Sequence, residues 1–540
     1  MSNAYRVLLV FLFLAVIIAA EAADVVLQPS INDNRPLWIS KINLSRQVVP
    51  RYEKLELTFD LKGTYRNAFD PAEIDVNGIF VGPDNKTITV PAFLYRNYTR
   101  ELRGNREYLT PKGSTEWKIR FAPTQIGKYS VTVSARDRTG KTVRSDKYIF
   151  ECEESNNPGF VRKSRVDHRY FAFDNGKSYV PVGINVAWAT SRGTYDYDDW
   201  FTQLGKAGCN YARVWITPGI ITLASEKLGE PQDRYGIGKF DLASSWKLDY
   251  VVDLASRNGL YLMICTDSFN TLRMKKDGNH PFWEETPYNK TNNGPLEKPE
   301  DFWTNEAARS LYKNKLRYLV ARYGWSTNVM CWEFWNEVDC VSPQVYNVDL
   351  ITKWHIEMSD YLRNIDPWKH LHATSIGNSN GEKQFDQLPQ MDFVQTHNYT
   401  THDFTALFTE IQKKKEYYKK PHFISEFGWE GGVDNGKKID PDGVALHNGI
   451  WSSLLSGGAG SAAYWWWDSF IHPKNHYAQF KALTSFIKGV DFDKERFQRI
   501  EDAVFSFAEQ PSNKKYRDLR INGPRSWQRY GINKPTAMKI

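Results

Sequence analysis

Two patterns of apolar and polar residues divide the chain. From residue 24 to residue 155, short runs alternate between apolar and polar positions, and turns rich in Gly, Pro and Asp separate the runs. Alternation with a period of two is typical of strands that bury one face. We interpret these runs as strands at 55–61, 74–81, 87–94, 116–121, 128–135 and 147–151. Their spacing predicts an antiparallel β-sandwich.

After a short linker at 155–158, the pattern changes to apolar strand, loop and helix in regular succession. This succession predicts βα units around a parallel sheet. The predicted strands are 178–185, 211–216, 260–266, 329–335, 370–375, 391–397, 422–425 and 460–466. They predict an α/β fold in which residues 160–490 form a (β/α)8 barrel behind the N-terminal sandwich. Residues 491–540 are basic, polar and poorly patterned, so we leave this tail unassigned.

The first 23 residues have the pattern of a secretory signal peptide. Arg6 precedes an apolar run at 7–20, and Ala20-Glu21-Ala22 resembles a cleavage site with small residues. The apolar run is short for a membrane span. We therefore predict a secreted protein that has no membrane contact after cleavage, with an uncleaved anchor as the alternative.

Composition narrows the function classes only slightly. The net charge of +7 is mild and dispersed, and no nucleic-acid-binding motif is present. The five Cys do not form a disulfide framework, and no metal-ligand spacing occurs among them. The 19 Trp exceed what a core requires, and aromatic faces are common stacking platforms for sugars.

Two predicted barrel strands end in carboxylates. The apolar run 329–335 is followed by Asn336 and Glu337, and the run 422–425 is followed by Glu426. Active sites of such barrels lie at the carboxyl ends of the strands. Two carboxylates at one barrel mouth are the minimal apparatus for glycoside hydrolysis. The structural alternative is that Glu337 caps a loop or pairs with a surface Lys.

The two strand ends also carry a family resemblance. W-N-E at 335–337 and I-S-E-F-G at 424–428 resemble the motifs of clan-A retaining glycoside hydrolases, close to the family-5 type. The resemblance implies that Glu337 is the acid/base and Glu426 the nucleophile. A retaining site would hold the carboxyl carbons about 5–5.5 Å apart. It implies a carbohydrate substrate with β-type linkages and no cofactor or metal, and segment 24–155 is similar to the immunoglobulin-like module before certain family-5-like barrels.

The resemblance extends to other strand ends. It implies that Arg213 holds the nucleophile ionised, that His397 and Tyr399 contact the catalytic carboxylates or the sugar, and that Asn336 binds a sugar hydroxyl. The candidates for the sugar-binding surface are Trp467 as the floor under the sugar, Trp465 on the same face, Asn185 and Trp188.

Two further carboxylates compete with this pair. Glu333 lies deeper in the fourth strand, where it needs an internal partner, and we interpret it as structural. Glu430 lies in a Gly-rich segment past the seventh strand and is a candidate for substrate binding.

Three functions fit these residues: hydrolysis, transglycosylation by the same two Glu, and carbohydrate binding without catalysis. The sequence leaves open the sugar, the linkage, endo or exo action, and the oligomeric state. For the N-terminal sandwich we expect a structural brace packed on the barrel, because the linker is short; carbohydrate binding is the alternative.

Overall fold

A computed structural model describes residues 36–216, 236–278, 280–400, 404–429 and 440–498. The predicted signal peptide, Glu430 and nearly all of the C-terminal tail lie outside these residues. Within the described ranges, no helix combines the length and the apolar character needed to cross a membrane.

The N-terminal part is a β-sandwich, as predicted. Its strands are β1 (Trp38–Ile39), β2 (Asn43–Leu44), β3 (Val48–Pro50), β4 (Leu55–Phe59), β5 (Leu61–Lys62), β6 (Ile74–Val81), β7 (Thr87–Pro91), β8 (Phe93–Arg103), β9 (Arg106–Phe121), β10 (Gly127–Asp137), β11 (Thr142–Arg144) and β12 (Tyr148–Glu153). One sheet has the order β2-β4-β9-β8, and the other has β3-β12-β10-β6-β7 with β11 added on β10. Residues buried between the sheets include Phe80 and Phe121, whose rings stack 4.0 Å apart.

The second part is a barrel of parallel strands, also as predicted. A small antiparallel sheet of β13 (Val161–Lys163), β14 (Phe171–Phe173) and β15 (Ser178–Tyr179) precedes it. The barrel strands are β16 (Gly183–Asn185), β17 (Tyr211–Trp215), β18 (Tyr261–Cys265), β19 (Val329–Glu333), β20 (Leu371–Ala373), β21 (Val394–Thr400) and β22 (His422–Trp429). Strands β16 to β20 pair in sequence order, and β21 pairs with β22, all in parallel.

Helices surround these strands. They are α1 (Thr194–Lys206), α2 (Leu242–Arg257), α3 (Glu306–Tyr323), α4 (Val348–Ile365), α5 (Lys383–Asp386), α6 (Phe404–Lys415), α7 (Val444–Leu455), α8 (His472–Lys474) and α9 (Tyr477–Phe486). The connections carry 3-10 turns at Phe269–Leu272, Lys275–Asp277, Lys290–Asn292, Pro299–Trp303, Val338–Cys340 and Glu416–Tyr418, and a π-helical turn at Trp467–Ile471.

The first and last predicted barrel strands differ from the structure. The predicted strand 178–185 contains Pro181, which has no N–H to donate to a sheet. Its first half, β15, instead pairs antiparallel with β14, and only β16 joins the barrel. The predicted strand 460–466 closes the barrel through single bridges of Tyr464 to Ile184 and to Phe427 rather than as a regular strand.

The barrel interior is layered. Tyr211, Met263, Cys331 and Phe423 form an apolar layer, which the antiparallel sheet β13-β14-β15 covers at the amino-terminal end of the barrel. Side chains on one face of a strand recur every second residue. The next inward position on β17 is therefore Arg213, and a layer of polar groups begins there at the carboxyl ends of the strands.

The sandwich packs against the barrel helices, as the short linker predicts. Arg120 of β9 donates from Nη1 to Asp249 of α2 at 2.5 Å, and Arg322 of α3 donates from Nη2 to the same carboxylate at 2.5 Å. Trp368 donates from Nε1 to the carbonyl oxygen of Ala122 at 3.0 Å. Breaking a buried ionic network of this kind costs about 3–5 kcal/mol, because it leaves an unpaired charge.

Candidate active site

Glu337 lies in the loop that follows β19, at the mouth of the barrel. Its backbone φ is 48°, in the left-handed region that side chains other than glycine seldom adopt. Ser375, just after β20, holds this turn: its Oγ accepts from the Glu337 N–H at 3.0 Å, and its own N–H donates to the Trp335 oxygen at 2.9 Å. Backbone strain at one residue is common at functional sites.

A β-bulge directs Glu426 into the mouth. In the pairing of β21 with β22, Thr396 lies opposite Ile424 but His397 lies opposite Glu426, so Ser425 is an extra residue. Without this extra residue, strict alternation from the inward Phe423 would turn Glu426 away from the interior. Bulges beside active sites commonly redirect a side chain in this way.

Arg213 connects the polar groups at the base of the mouth and is completely buried. Its Nε and Nη2 donate to the two oxygens of Glu333 at 2.7 and 2.8 Å. Its Nη1 donates to Glu426 Oε2 at 2.9 Å and to Asn185 Oδ1 at 3.1 Å, and Nη2 also reaches Asn336 Oδ1 at 2.7 Å. One guanidinium therefore binds two carboxylates, and Glu333 has the internal partner that we expected.

Glu337 and Glu426 approach each other closely. The Tyr399 hydroxyl donates to Glu426 Oε1 at 2.5 Å, and His397 Nδ1 lies 2.8 Å from Glu337 Oε1 and 3.5 Å from Glu426 Oε2. One oxygen of each carboxylate and the His397 nitrogen lie within 4.8 Å of one another. Retaining glycosidases hold their carboxyl groups about 5–5.5 Å apart, and the approach of these oxygens is compatible with that spacing.

The surroundings raise the pKa of the Glu337 carboxyl. Burial, with the negative charge of Asp339 two residues away, raises the pKa of Glu337 to about 7. Burial lowers the pKa of His397 to about 4, so its ring is neutral at pH 7. A neutral imidazole can donate or accept at Nδ1, and its contact with Glu337 therefore holds in either protonation state of the carboxyl.

The neighbours of Glu426 act in opposite directions on the pKa of its carboxyl group. Burial and the nearby charge of Glu337 raise the pKa of Glu426, whereas the Arg213 cation and the Tyr399 hydroxyl oppose that rise. Direct hydrogen bonds to the charged form favour the carboxylate. Glu426 receives two such bonds, whereas among the described residues no Lys or Arg pairs with Glu337, so the charged form is better stabilised at Glu426.

Comparison with known families decides the class of this site. Residues 174–469, more than half of the chain, match the model of cellulase (glycosyl hydrolase family 5). The chain belongs to glycosyl hydrolase family 5. It is an O-glycosyl hydrolase of the retaining type, which uses two carboxylates, and its substrate is a carbohydrate.

The relatives of this family-5 enzyme agree with that assignment. The chain is 23% identical over 342 residues to mannan endo-1,4-beta-mannosidase 3 of Oryza sativa subsp. japonica, a match that covers 54% of this chain and 69% of that protein. It is 25% identical to mannan endo-1,4-beta-mannosidase 4 of Solanum lycopersicum, over 48% of this chain and 71% of that protein.

The N-terminal module and the overall fold have their own matches. Residues 48–136 match a domain of unknown function (DUF5060). The crystal structure of a candidate glycoside hydrolase from Bacteroides vulgatus has the same fold, with a TM-score of 0.55 and 18% identity. That match covers 78% of this chain and 72% of the bacterial protein, so it includes more than the barrel.

The three close groups of the family-5 site could also be read as metal ligands. Glu337, His397 and Glu426 each offer one ligand atom at metal-binding spacing. The Arg213 cation already lies 2.9 Å from Glu426 Oε2, and a second positive charge there would be repelled. The donor set therefore suits a carboxylate pair better than a metal.

Four indoles form a cluster at one side of the mouth. Trp188 lies 5.5, 5.4 and 5.1 Å from Trp215, Trp465 and Trp467, measured between ring centroids. Trp188 is 37% exposed and Trp465 is half-buried, whereas Trp467 is 2% exposed and also contacts Trp200. Trp467, which we predict as the sugar floor, is the most enclosed of the four indoles, whereas Trp465 and Trp188 have open surface.

Trp466, between Trp465 and Trp467 in the sequence, is half-buried. It lies over Gly428 at the end of β22, beside the ring of Tyr399. A Cβ at position 428 would lie 3.0 Å from Trp466 Nε1 and 3.2 Å from Tyr399 Cε1. Gly428, which has no side chain, therefore leaves space for two aromatic rings at the mouth.

Asn185 and Asn336 lie at the site and bind the Arg213 guanidinium. Asn185 is fully buried, and its Nδ2 donates to the Ser425 oxygen at 3.0 Å. Asn336 is 1% exposed, with its Oδ1 on Arg213. We therefore interpret Asn185 as a support for the Arg213 network rather than as a sugar contact.

Three residues of the site were not predicted. Ser375 binds the Glu337 backbone, Asp339 raises the Glu337 pKa, and Trp215 lies in the indole cluster. A signal existed for Ser375, because it is a polar residue at the carboxyl end of a predicted strand. Nothing in the local sequence distinguishes Asp339 from a surface carboxylate.

Proposed function

We propose that this family-5 enzyme hydrolyses β-linked polysaccharide with Glu426 as the nucleophile and Glu337 as the acid/base. The observation that supports these roles is the difference between two carboxyl groups whose oxygens lie within 4.8 Å of each other. Glu426 binds the Arg213 cation and the Tyr399 hydroxyl, whereas Glu337 has a pKa of about 7. An ionised nucleophile and a protonated acid are the states that the first step requires.

In the first step, a Glu426 oxygen attacks the anomeric carbon and forms the glycosyl–enzyme bond. The glycosidic C–O bond breaks, and the leaving oxygen takes the Glu337 proton. The attack consumes the negative charge of Glu426, so its bonds to Arg213 and Tyr399 weaken as the reaction proceeds. Those contacts orient the nucleophile and hold it ionised, and they moderate its reactivity.

In the second step, Glu337 is ionised and takes a proton from a water molecule. The water oxygen attacks the anomeric carbon, and Glu426 leaves as a carboxylate with net retention of configuration. A pKa near 7 suits a group that must be an acid in one step and a base in the next. His397 can contact Glu337 throughout, since its neutral ring accepts or donates at Nδ1.

For the substrate we propose a β-1,4-mannan cleaved within the chain, since the two plant relatives are mannan endo-1,4-beta-mannosidases. The half-buried Trp465 and the exposed Trp188 offer apolar faces suited to pyranose rings. We further propose that the protein is secreted, on the signal-peptide pattern of residues 1–23.

The test uses protein recovered from the culture medium of a secreting host, where we expect an N-terminus at Ala23 or Asp24. Mannan, carboxymethyl cellulose and xylan are supplied separately, with the Glu426→Gln variant as the blank. We expect mannan to yield short oligosaccharides whose new reducing ends are first detected as the β anomer by NMR. Activity on cellulose or xylan alone would overturn the mannan proposal, and an α anomer would overturn the roles of the two Glu.

Asp339→Asn is expected to move the alkaline limb of the pH–rate profile to lower pH by about one unit. The negative charge of Asp339 raises the pKa of Glu337, so its removal lets Glu337 lose its proton at lower pH. Because the first step needs protonated Glu337, activity then falls at lower pH. Asn retains an oxygen that can accept from the Gly377 N–H, now 2.7 Å from Asp339 Oδ1.

The measurement is kcat/KM against pH on mannohexaose, whose sugar leaving group needs the Glu337 proton in the first step. Asp360→Asn is the matched control, because Asp360 is exposed on α4. An alkaline limb that stays in place in Asp339→Asn would show that Glu337 does not control it.

A further inference from the structure

A two-stranded ribbon joins the N-terminal sandwich to the barrel mouth. Strand β4 pairs only with residues 117–121 of β9, whereas β8 pairs with β9 as far as Arg106. The far part of this hairpin therefore extends beyond the sheet that anchors it. A two-stranded hairpin is marginally stable alone in water, so contacts at its far end matter for its position.

The far end of the ribbon binds the loop that carries Trp188. This loop, residues 186–193, connects β16 to α1. The Glu107 N–H donates to the Ser191 oxygen at 2.9 Å, and the Ser191 hydroxyl donates to the Asn105 oxygen at 2.6 Å. Two backbone groups of the sandwich hairpin are thus bonded to a loop of the catalytic barrel.

The Glu107 side chain makes a second connection. It is 1% exposed, accepts from the Thr194 N–H at 3.2 Å and from the Thr194 hydroxyl, and pairs with Lys247 at 3.0 Å. The N-cap of α1 is Gly193, which has no side chain to cap the helix. A carboxylate at a helix N-terminus is favourable, and here another domain supplies it.

The backbone at Gly193 leaves space for the Glu107 carboxylate. Gly193 has φ 57°, and a Cβ there would lie 2.0 Å from Glu107 Oε2. A side chain at this position would therefore exclude the cap. On the loop side, the Thr190 N–H donates to Asp196 Oδ2 at 2.8 Å, so α1 holds the loop from its own first turn as well.

Trp188 lies just before these anchored residues. Its ring is 37% exposed, and its inner side rests on Trp215, Trp465 and Trp467. The position of this exposed indole depends on the loop between Trp188 and Thr194. That loop is bonded at Ser191 and at its end to the sandwich hairpin.

We propose that Glu107 is a positioning residue for saccharide binding, which holds the Trp188 loop in place from the N-terminal module. The consequence for saccharides rests on the proposed function, whereas the consequence for Trp188 does not. The sandwich then positions part of the substrate site, in addition to the structural support that we expected from the sequence. Loss of Glu107 weakens substrate binding and leaves the two catalytic carboxylates unchanged.

The first experiment compares Glu107→Ala with wild type on mannohexaose. We expect KM to rise about tenfold with kcat within about twofold, since Trp188 contributes to binding and not to the chemistry. Glu101→Ala is the matched control, because Glu101 is an exposed residue of the same hairpin and pairs with the exposed Arg103. Glu107→Gln keeps an acceptor for Thr194 and should recover most of the loss. If Glu107→Ala does not fold, Thr194→Val takes its place, because it removes the hydroxyl that donates to Glu107 and should raise KM in the same way.

Coupling to Trp188 distinguishes positioning from a general loss of stability. In a Trp188→Ala background, Glu107→Ala should change KM by less than twofold, because the residue being positioned is absent. An equal KM increase in both backgrounds, or a fall in kcat alone, would overturn the proposal.

Tryptophan fluorescence tests the same inference without a substrate. Acrylamide should quench Glu107→Ala more strongly than wild type, and Trp188→Phe should abolish that difference. If wild type hydrolysed no saccharide, the proposed function would fail while this measurement still decided the role of Glu107. Unchanged quenching in Glu107→Ala would overturn the positioning role.

Discussion

Replacing Glu426 by Gln is expected to lower kcat on every substrate by about 10⁴-fold or more, because an amide cannot form the glycosyl–enzyme bond. The change is nearly isosteric, and the amide oxygen can still accept from Arg213, which now donates to Glu426 at 2.9 Å. The fold should therefore survive, and the melting temperature should not fall.

Covalent trapping makes this result specific. An activated 2-deoxy-2-fluoro glycoside should add one glycosyl unit to wild type, on a peptide that contains Glu426, and none to Glu426→Gln. The control is Glu410→Gln, since Glu410 is an exposed carboxylate of α6 that pairs with Lys414. Label on a peptide that lacks Glu426, or more than one hundredth of wild-type kcat in a well-folded Glu426→Gln protein, would contradict the nucleophile assignment.

Replacing Glu337 by Ala should give a loss that depends on the leaving group. For substrates with alkoxide-like leaving groups, we expect a loss of about 10²–10⁴-fold, the usual contribution of a general acid. A dinitrophenyl glycoside needs no proton in the first step, so it should still form the glycosyl–enzyme rapidly and accumulate it. The measurement is a pre-steady-state burst followed by slow turnover.

Azide then identifies the step that Glu337 assists. The anion fits the space left by the carboxylate and needs no general base, so it should attack the glycosyl–enzyme and restore turnover. Two successive inversions give a glycosyl azide of β configuration. If azide instead rescued Glu337→Ala with an α product, or rescued Glu426→Gln with a β product, the roles of the two Glu would be exchanged.

Both variants remove a carboxyl group from a site that contains buried charge and backbone strain, which lower the stability of the fold. Glu333 and Glu426 share the Arg213 cation, and Glu337 has a left-handed backbone and a raised pKa. Strain and buried charge at a working site are the usual compromise between activity and stability.

The sequence by itself determined the architecture and the two carboxylates. Alternating runs specify half-buried strands, and continuous apolar runs followed by helices specify parallel strands covered on the outside. Glu337 and Glu426 were identifiable because each ends an apolar strand, and parallel strands bring such ends to one mouth. The contacts of Arg213 and Tyr399 with Glu426 follow the family resemblance.

Only the tertiary structure decided which neighbours those residues have. The Arg213–Glu333 pair joins strands 120 residues apart, and the Glu107 cap joins two domains, so no local pattern indicates either one. Strand alternation predicts Trp465 and Trp467 on one face, but the closing segment is irregular and turns into a π-helix at Trp467, where the period of two no longer holds. Local periodicity encodes which face of an element is buried, whereas the partners on that face are set by packing between distant segments.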